Sequence, residues 1–305
     1  MKVAITGGLG LIGSVLTKKL VEHGHDVTVI DVRMSQPPKG AKFCIADVTS
    51  FDQIVQALND VKVVYHLAGT VLNSSRRNPH LAVRLNILGT ANILEASVKN
   101  GVEKVIYASS FYAYDGLPKN LQVAENECSD IFKAELFGVV KLVGERLVLE
   151  YNRRYGLKYG ILRYGPVYGP GDRCTCVIHD FVNTGFRREP LIIWGRGERK
   201  NQYTYVEDVA DGSLAVLRFE NDTFNIISPE QVTIRQVTEF LAEKYGFKVE
   251  YDLSKHEGPS LPYISPKKAM EKLGWRPIPF EQGVEKVIEA WRARARVSSA
   301  KISGK

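Results

Sequence analysis

The first 22 residues constrain the fold most, because they run from an apolar stretch through a glycine-rich turn into a helical pattern. Residues 2–6 are mostly apolar, as in a buried strand, and residues 11–22 have the apolar spacing of a helix. In the turn, Gly7 permits a sharp change of direction, Gly10 leaves the backbone open to a ligand, and Gly13 lets helix and strand pack closely. Amide groups at the start of such a helix bind anions, so this unit predicts a diphosphate-binding α/β domain.

The same alternation of strand and helix continues to about residue 165. Strands that alternate with helices pair in parallel through right-handed crossovers, so we predict an α/β fold with a doubly wound parallel sheet of the Rossmann type. The predicted strands are 2–6, 26–31, 42–46, 61–67, 104–108 and 159–163, and the predicted helices are 11–22, 51–58, 79–100 and 132–155.

Proline and glycine become frequent after residue 165, and the regular alternation ends. We therefore assign residues 1–165 to the sheet domain and predict a second, smaller α+β substrate lobe at 166–202 and 227–296. The segment from about 203 to 226 is expected to return to the first sheet. The end of the chain, 297–305, is rich in Ser, Lys and Gly and is expected to be disordered.

Composition narrows the functional class. The formal net charge is +7, but the basic residues are scattered without a nucleic-acid motif, which favours a solvated surface over a nucleic-acid partner. No apolar run approaches the roughly 20 residues of a membrane span and no secretory signal opens the chain, so we expect a cytoplasmic protein without a membrane partner. The cysteines and histidines lack zinc-site spacing, so we expect no metal, reduced cysteines, and a packing role for His66.

An acidic residue at the end of the second strand points to a particular dinucleotide. Asp31 lies 18 residues after Gly13, where a carboxylate can accept hydrogen bonds from both ribose hydroxyls. The same charge repels a 2′-phosphate, so NAD is favoured over NADP, although Arg33 close by weakens that preference. The alternative interpretation of Asp31 is an ordinary turn residue after a strand.

Further motifs follow in order along the chain. They are Asp47-Val48, His66-Leu-Ala-Gly69, Asn86-Ile-Leu-Gly-Thr90, Tyr107-Ala-Ser-Ser110, Tyr205-Val-Glu-Asp-Val-Ala210 and Leu273-Gly-Trp-Arg-Pro277. With the glycine turn, this series resembles the extended short-chain dehydrogenase/reductases, and specifically their NAD-dependent epimerase/dehydratase branch, over roughly residues 1–292. The resemblance implies that NAD is bound by Gly7, Gly10, Leu11, Ile12, Gly13, Asp31, Asp47, Val48, Leu67, Ala68, Gly69, Asn86, Lys141, Tyr164 and Val167.

The reaction centre of that family combines a Ser or Thr, a Tyr and a Lys. The tyrosine takes a proton from a substrate hydroxyl, and the lysine lowers the pKa of the phenol through its charge. Ser110 and Lys141 match two of these positions, and Phe137 stands where the family has tyrosine. The resemblance therefore implies the catalytic set Ser110, Phe137 and Lys141, with the hydroxyl missing at its centre.

Three interpretations of Phe137 remain open at this point. Phenylalanine could be an engineered replacement of a natural tyrosine, since it removes only the hydroxyl. Another base could act, with Tyr112 and Tyr114 the nearest candidates. The third interpretation is a non-catalytic protein that binds NAD or a nucleotide sugar.

The second half resembles UDP-sugar epimerases in Arg163-Tyr-Gly-Pro-Val-Tyr-Gly169 and Trp194-Gly-Arg-Gly197. It departs from them at Pro166, where those enzymes commonly have Asn, and at Asn201, where an arginine often grips the UDP phosphate. The resemblance implies Thr70, Ser110, Pro166, Arg199 and Asn201 as substrate-binding residues.

The leading hypothesis is an NAD-dependent nucleotide-sugar 4-epimerase of the UDP-glucose/UDP-galactose type, inactivated or weakened by Phe137. The alternatives are a non-catalytic binding protein and a related sugar-nucleotide reductase that uses another base. A dehydratase is disfavoured, because Phe111 and Tyr112 stand where dehydratases carry an Asp-Glu pair. The helices predicted at 79–100 and 132–155 resemble the family's four-helix dimer interface, so we expect a homodimer.

Overall fold

The computed structural model describes residues 1–171, 176–258, 260 and 262–303, with side chains described as far as residue 295. The strands are β1 Lys2–Thr6, β2 Asp26–Asp31, β3 Lys42–Ile45, β4 Val63–His66, β5 Lys104–Ser110, β6 Gln122–Val123, β7 Lys158–Tyr164, β8 Val167–Tyr168, β9 Leu191–Trp194, β10 Lys200–Asn201, β11 Thr204–Tyr205, β12 Asp222–Ile226, β13 Val232–Thr233, β14 Val249–Asp252 and β15 Tyr263–Ile264. The α-helices are α1 Leu11–Glu22, α2 Phe51–Ala57, α3 Leu72–Arg77, α4 Pro79–Val83, α5 Gly89–Lys99, α6 Leu136–Tyr155, α7 Val177–Phe186, α8 Val206–Ala215, α9 Ile234–Tyr245, α10 Lys267–Lys272 and α11 Phe280–Ser303.

A seven-stranded parallel sheet in the order β12-β7-β5-β4-β1-β2-β3 forms the centre of the molecule. Its central strands β4 and β5 are buried along their whole length, as expected when helices cover both faces. Along β1, Val3 and Ile5 pack in the core with α1 and α8, whereas Ala4 packs with α2, α5 and α6. The predicted doubly wound parallel sheet is confirmed.

The second half of the chain builds a smaller lobe from two-stranded pairs and helices. Its apolar core joins α7, α9 and α11 around Tyr168, Phe181, Leu241 and Phe280. Strand β12 lies within the segment 203–226 that was expected to return to the sheet, and it pairs in parallel with β7 at the sheet edge. The chain therefore leaves the sheet domain, contributes to the lobe and comes back.

Two predicted helices differ from the observed ones. The helix predicted at 79–100 is divided by a π-helical turn at Arg84–Leu88, where the Asn86 amide donates to the Ala82 carbonyl at 2.9 Å. The helix predicted at 132–155 begins at Leu136 instead, because the Asp115 carboxylate accepts the Glu135 N–H at 2.8 Å and holds the preceding residues outside the helix. π-Helical turns occur mostly at functional sites, which makes the first difference informative.

Residues 297–303 also differ from their prediction. Helix α11 continues to Ser303, although a disordered tail was predicted from residue 297. Once the helix has formed against the lobe, each added residue contributes a backbone hydrogen bond, and Ala300 and Lys301 are good helix formers. None of the helices that the structure describes combines the length and apolarity that crossing a bilayer requires.

Asp208, near the start of α8, links protonation to stability. It is a buried carboxyl that accepts the Ile278 N–H at 3.1 Å, and burial raises its pKa to about 6. Because this pKa exceeds the ordinary value of 3.8, the folded state binds the Asp208 proton more tightly than the unfolded state does. The stability that this protonation contributes to the fold is lost as pH rises through about 6.

We expect Asp208→Asn to remove this pH dependence, since the amide is neutral and its oxygen still accepts the Ile278 N–H. The difference in unfolding free energy between the variant and the original chain should therefore change with pH. It should shift by about 1 kcal/mol in favour of the variant when the pH is raised from about 5 to about 7.5. Urea unfolding at both pH values measures this gain. An equal difference between the two proteins at both pH values would contradict it.

Candidate active site

A cleft of about 630 Å³ opens at the carboxyl ends of the central parallel strands, which is where open α/β sheets bind ligands. It brings together most of the residues that the sequence predicted to bind cofactor or substrate. Those that line it are Gly7, Gly10, Leu11, Ile12, Gly13, Asp31, Asp47, Val48, Leu67, Ala68, Gly69, Thr70, Ser110, Phe137, Lys141, Tyr164, Pro166 and Val167.

The glycine turn has the backbone geometry that its sequence predicts. Gly7 has a φ of +68°, and its N–H donates to the Ile30 carbonyl at 2.8 Å, which joins the turn to β2. A Cβ on Gly13 would lie 2.5 Å from the Gly7 oxygen, so any larger residue would push α1 off the turn. A Cβ on Gly10 would meet only the Gly7 oxygen, at 3.1 Å, and Gly10 lies in the cleft wall. The first turn of α1 can therefore receive a phosphate group directly.

Asp31 is a buried carboxylate at the end of β2. It accepts hydrogen bonds from the Leu9 N–H at 3.3 Å and from the Arg33 guanidinium at 3.0 and 3.1 Å. Burial raises the pKa of this carboxyl, but the hydrogen bonds from Arg33 outweigh burial and hold the pKa below its ordinary value. Asp31 is therefore ionised at neutral pH and available to ribose hydroxyls at the cleft.

We expect Asp31→Asn to shift cofactor preference towards NADP. The change removes the negative charge that repels a 2′-phosphate and leaves Arg33 without its carboxylate partner. The ratio of NADP to NAD affinity should rise by about 10- to 100-fold, measured by titration calorimetry. The double variant Asp31→Asn/Arg33→Ala is the control, and it should lose most of the gain in NADP affinity. A ratio unchanged in the single variant would contradict the role of Asp31.

Asn86 lies just behind the cleft wall, on the π-helical turn. Its amide nitrogen donates to the Thr70 hydroxyl at 2.6 Å, and Thr70 in turn bonds to Ser75 at 2.7 Å. The Asn86 carbonyl oxygen is buried without a hydrogen-bond partner among the described residues. A Cβ on Gly69 would lie 2.5 Å from that oxygen and 3.5 Å from the Lys141 ammonium. A side chain at position 69 would therefore collide with this oxygen, and an orphan acceptor beside the cleft fits a hydroxyl-bearing ligand such as a nucleotide ribose.

The three residues at the predicted reaction centre lie together in the cleft. Lys141 donates to the Ala108 carbonyl at 2.9 Å, and its ammonium lies 6.0 Å from the centre of the Phe137 ring. Burial lowers the pKa of Lys141 to about 8, although the charge of Glu145 opposes the shift. Ser110 lies in the same cleft wall, so serine, lysine and the phenylalanine ring face one space.

The two tyrosines considered as substitute bases have different surroundings. Tyr114 is fully buried outside the cleft, where its hydroxyl donates to Asn225 and accepts from Arg163, both at 2.8 Å. Burial raises the pKa of Tyr114 to about 12, so this residue is unsuited to proton transfer. Tyr112 lines the cleft, and its ring packs edge-on against Phe137 at 5.5 Å between centroids.

The structure places only some of the predicted substrate residues in the cleft wall. Thr70, Ser110 and Pro166 line the cleft, whereas Arg199 and Asn201 are not in its wall. The Asn201 amide donates to the Tyr203 hydroxyl at 3.1 Å within the smaller lobe, and its role in substrate binding stays a prediction.

Arg199 is fixed by a turn of the smaller lobe. The Glu257 carboxylate accepts the N–H of Arg196 at 2.9 Å and of Arg199 at 2.7 Å. Gly195 and Gly197 allow this turn, with φ of +61° and +72°. The Arg199 Nε is buried without a partner among the described residues, and the charge of Arg199 acts on Tyr112 at the cleft. Arg199 therefore lies near enough to the cleft for its charge to reach a bound anion.

His66 has the packing role that the sequence predicted. It is buried between hydroxyls, with Thr6 at 2.8 Å and Thr90 at 3.1 Å. Burial, reinforced by the charge of Lys141, lowers the pKa of His66 to about 3, so the ring is neutral and takes no part in acid–base chemistry near neutral pH.

The sequence reasoning missed several apolar residues that line the cleft and shape its walls. No charge, glycine or motif spacing distinguishes them from other apolar residues of the chain. They are Ile30, Val32, Ala46, Val71, Leu72, Leu85 and Cys176.

Comparison with known proteins agrees with this geometry. The profile of the NAD dependent epimerase/dehydratase family matches residues 3–226. A Methanocaldococcus jannaschii protein provisionally named a UDP-glucose 4-epimerase is 35% identical over 301 residues, which cover 94% of this chain and 97% of the relative.

Two solved structures share the whole fold. The UDP-glucose 4-epimerase of Thermotoga maritima, solved with UDP-glucose, has a TM-score of 0.89 at 31% identity and covers 97% of this chain and 100% of its own. The UDP-glucuronic acid 4-epimerase of Bacillus cereus, solved with UDP-glucuronic acid and NAD, has a TM-score of 0.85 at 26% identity, with 96% and 99% covered.

Proposed function

Since this chain belongs to the NAD dependent epimerase/dehydratase family, we propose that it is a nucleotide-sugar 4-epimerase of the UDP-glucose/UDP-galactose type, slowed by Phe137. The observation that carries the proposal is the cleft in which Ser110 and Lys141 meet the glycine turn and Asp31. The relatives named for 4-epimerisation of UDP-sugars support the choice of substrate.

The sheet-domain side of the cleft holds the cofactor in this proposal. The amide groups after Gly10 receive the diphosphate, and Asp31 accepts hydrogen bonds from a ribose. Lys141 and the orphan oxygen of Asn86 are placed for the second ribose. NAD, when bound, supplies reversible hydride transfer at a sugar carbon.

The remaining residues act on the sugar. Ser110 holds the oxygen of the reacting carbon by a hydrogen bond, and the buried Lys141 contributes positive charge beside it. Arg199 attracts the anionic diphosphate of the nucleotide sugar. Phe137 fills the wall beside these groups and moves no proton, which is why we expect a slow enzyme.

We also propose a homodimer that forms through α5 and α6. Apolar residues remain exposed on and next to these helices, including Val83, Leu88 and Leu149, and a second copy would cover them. Light scattering on the purified protein should give twice the mass of the chain.

The function is tested on the chain as it stands. Mass spectrometry of small molecules released from the purified protein should find NAD, and incubation with UDP-glucose should yield UDP-galactose at a low rate. Loss of this turnover on Lys141→Met, with NAD still bound, would support catalysis in the cleft. Absence of NAD, or a product other than the 4-epimer, would contradict the proposal.

A second candidate function rests on Phe137 itself. Without the hydroxyl, the protein could serve as a binding protein that carries NAD and a nucleotide sugar without turning it over. Turnover that is abolished by Ser110→Ala would exclude this candidate. Tight UDP-sugar binding with no turnover by this chain would favour it.

A further inference from the structure

We propose that the hydroxyl of Tyr112 moves the proton that Phe137 cannot move. The inference rests on the proposed epimerase function and adds a residue to it. Ser110, Phe137 and Tyr112 lie together in one wall of the cleft, and the Tyr112 hydroxyl has no hydrogen-bond partner among the residues that the structure describes.

The backbone ties Tyr112 to the reaction centre. Ser110 caps the short 3₁₀ helix Phe111–Tyr114, and its hydroxyl oxygen accepts the Tyr112 N–H at 3.3 Å. The Tyr112 ring then meets the Phe137 ring edge-on, with an interplanar angle of 70°. The tyrosine is therefore a direct neighbour of the side chain whose hydroxyl is missing.

The hydroxyl of Tyr112 is available, in contrast to those of the tyrosines around it. Tyr164 also lines the cleft, but its hydroxyl is bonded to Ser213 at 2.8 Å. Tyr107 donates to the Lys141 carbonyl at 3.5 Å, and Tyr114 is held by Arg163 and Asn225. Among the described residues, no hydrogen bond engages the Tyr112 hydroxyl, so a substrate hydroxyl can take that place.

Charges around Tyr112 have opposing effects on its ionisation. Burial raises the pKa of the phenol, Arg199 and Arg76 lower it, and Glu135 and Asp115 raise it. Arg76 is paired with Glu135, whereas the Arg199 Nε has no hydrogen-bond partner among the described residues. The net direction is upward, so the phenolate becomes more abundant as pH rises above neutrality.

The transfer balances within the epimerisation. The Tyr112 phenolate forms an O–H bond as the O–H bond of the sugar 4-hydroxyl breaks, while the C4 hydrogen leaves as hydride to NAD. The carbon is oxidised to a ketone and the cofactor is reduced. The return of hydride to the opposite face and of the proton to oxygen reverses both changes, so no external oxidant or reductant is consumed.

The test compares the original chain with Tyr112→Phe in the conversion of UDP-glucose to UDP-galactose. We expect kcat to fall by about 100-fold or more, while NAD content and UDP-glucose affinity by calorimetry stay unchanged. In the original chain, kcat should rise about tenfold per pH unit between roughly pH 6 and 7.5, below the pH at which Lys141 loses its charge, and this slope should disappear in the variant. Tyr251→Phe, on an exposed strand of the smaller lobe, is the matched control and should retain the rate and the slope.

A second comparison separates this inference from the proposed function. In Phe137→Tyr protein the introduced hydroxyl takes the proton, so adding Tyr112→Phe should cost less than about fivefold. Suppose that Phe137→Tyr is active and that Tyr112→Phe has the same slow rate and the same pH slope as the original chain. The proposed role of Tyr112 is then wrong, while the epimerase function stands. The role is equally overturned if the original chain has no activity. If both the original chain and Phe137→Tyr are inactive, the proposed function fails as well.

Discussion

Replacing Phe137 with tyrosine is expected to raise kcat for the interconversion of UDP-glucose and UDP-galactose by roughly two to four orders of magnitude, about 3–5 kcal/mol of barrier. The change adds one hydroxyl to a ring that already lines the cleft beside Ser110 and Lys141. Because Lys141 follows one helical turn later, its ammonium lies on the same face and favours the phenolate.

The pH profile provides an independent check on this variant. The original chain depends on a phenol whose pKa is raised by burial, whereas the new phenol would be next to the Lys141 ammonium. The variant should therefore reach its plateau at lower pH. It should also lose activity as Lys141 deprotonates, since the pKa of this residue is lowered to about 8.

The matched control adds a hydroxyl at a position that does not line the cleft. Phe132 is 91% exposed, away from the cleft wall, so Phe132→Tyr should leave kcat unchanged. Steady-state assays with a coupled detection of UDP-glucose compare the three proteins. A Phe137→Tyr rate within about threefold of the original chain would contradict the assignment of this position as the proton-transfer site.

Glu145→Ala is expected to destabilise the protein by about 3–5 kcal/mol, since it leaves a buried arginine without its counter-charge. The Arg163 guanidinium binds both oxygens of Glu145, at 2.8 and 2.9 Å, and the side chains are only 6% and 8% exposed. Arg163 also donates to Tyr114 and to the Glu127 carbonyl at 2.8 Å, so the pair joins α6 to the loop after β5.

Urea unfolding measures the cost. The control is Glu220→Ala, which breaks the exposed pair with Lys158 and should change the unfolding free energy by less than about 1 kcal/mol. The double variant Glu145→Leu/Arg163→Met should recover part of the loss, because it removes both charges instead of one. A loss below about 1 kcal/mol in Glu145→Ala would show that the buried pair is not a principal support of the site.

The features that sequence predicted well are those set by local backbone chemistry. The bounds of β1, α1 and β2 match their predictions because the glycine turn and the apolar pattern on each side define them. Asp31 was found for the same reason, since it ends a strand at a fixed distance from the turn. The cleft residues of the sheet domain follow directly from these elements.

The features that sequence missed depend on contacts between distant segments. Tyr114 and Tyr112 are two residues apart and look equivalent in sequence, yet Arg163 and Asn225 engage only the first. The start of α6 depends on Asp115, which lies 20 residues before Glu135. The hydrogen bond from Asn201 to Tyr203 within the smaller lobe is a further contact that register with the family does not reveal. None of these pairings leaves a periodic signal in the sequence.

In the proposed reaction, hydride leaves and returns to one sugar carbon within this cleft. The most direct measurement follows UDP-glucose deuterated at C4 through turnover by the original chain and by Phe137→Tyr, with the product analysed by NMR. We predict UDP-galactose that retains deuterium at C4, formed faster by the variant and without release of reduced cofactor. No UDP-galactose from either protein, or a product whose C4 deuterium has exchanged with solvent, would contradict the claim.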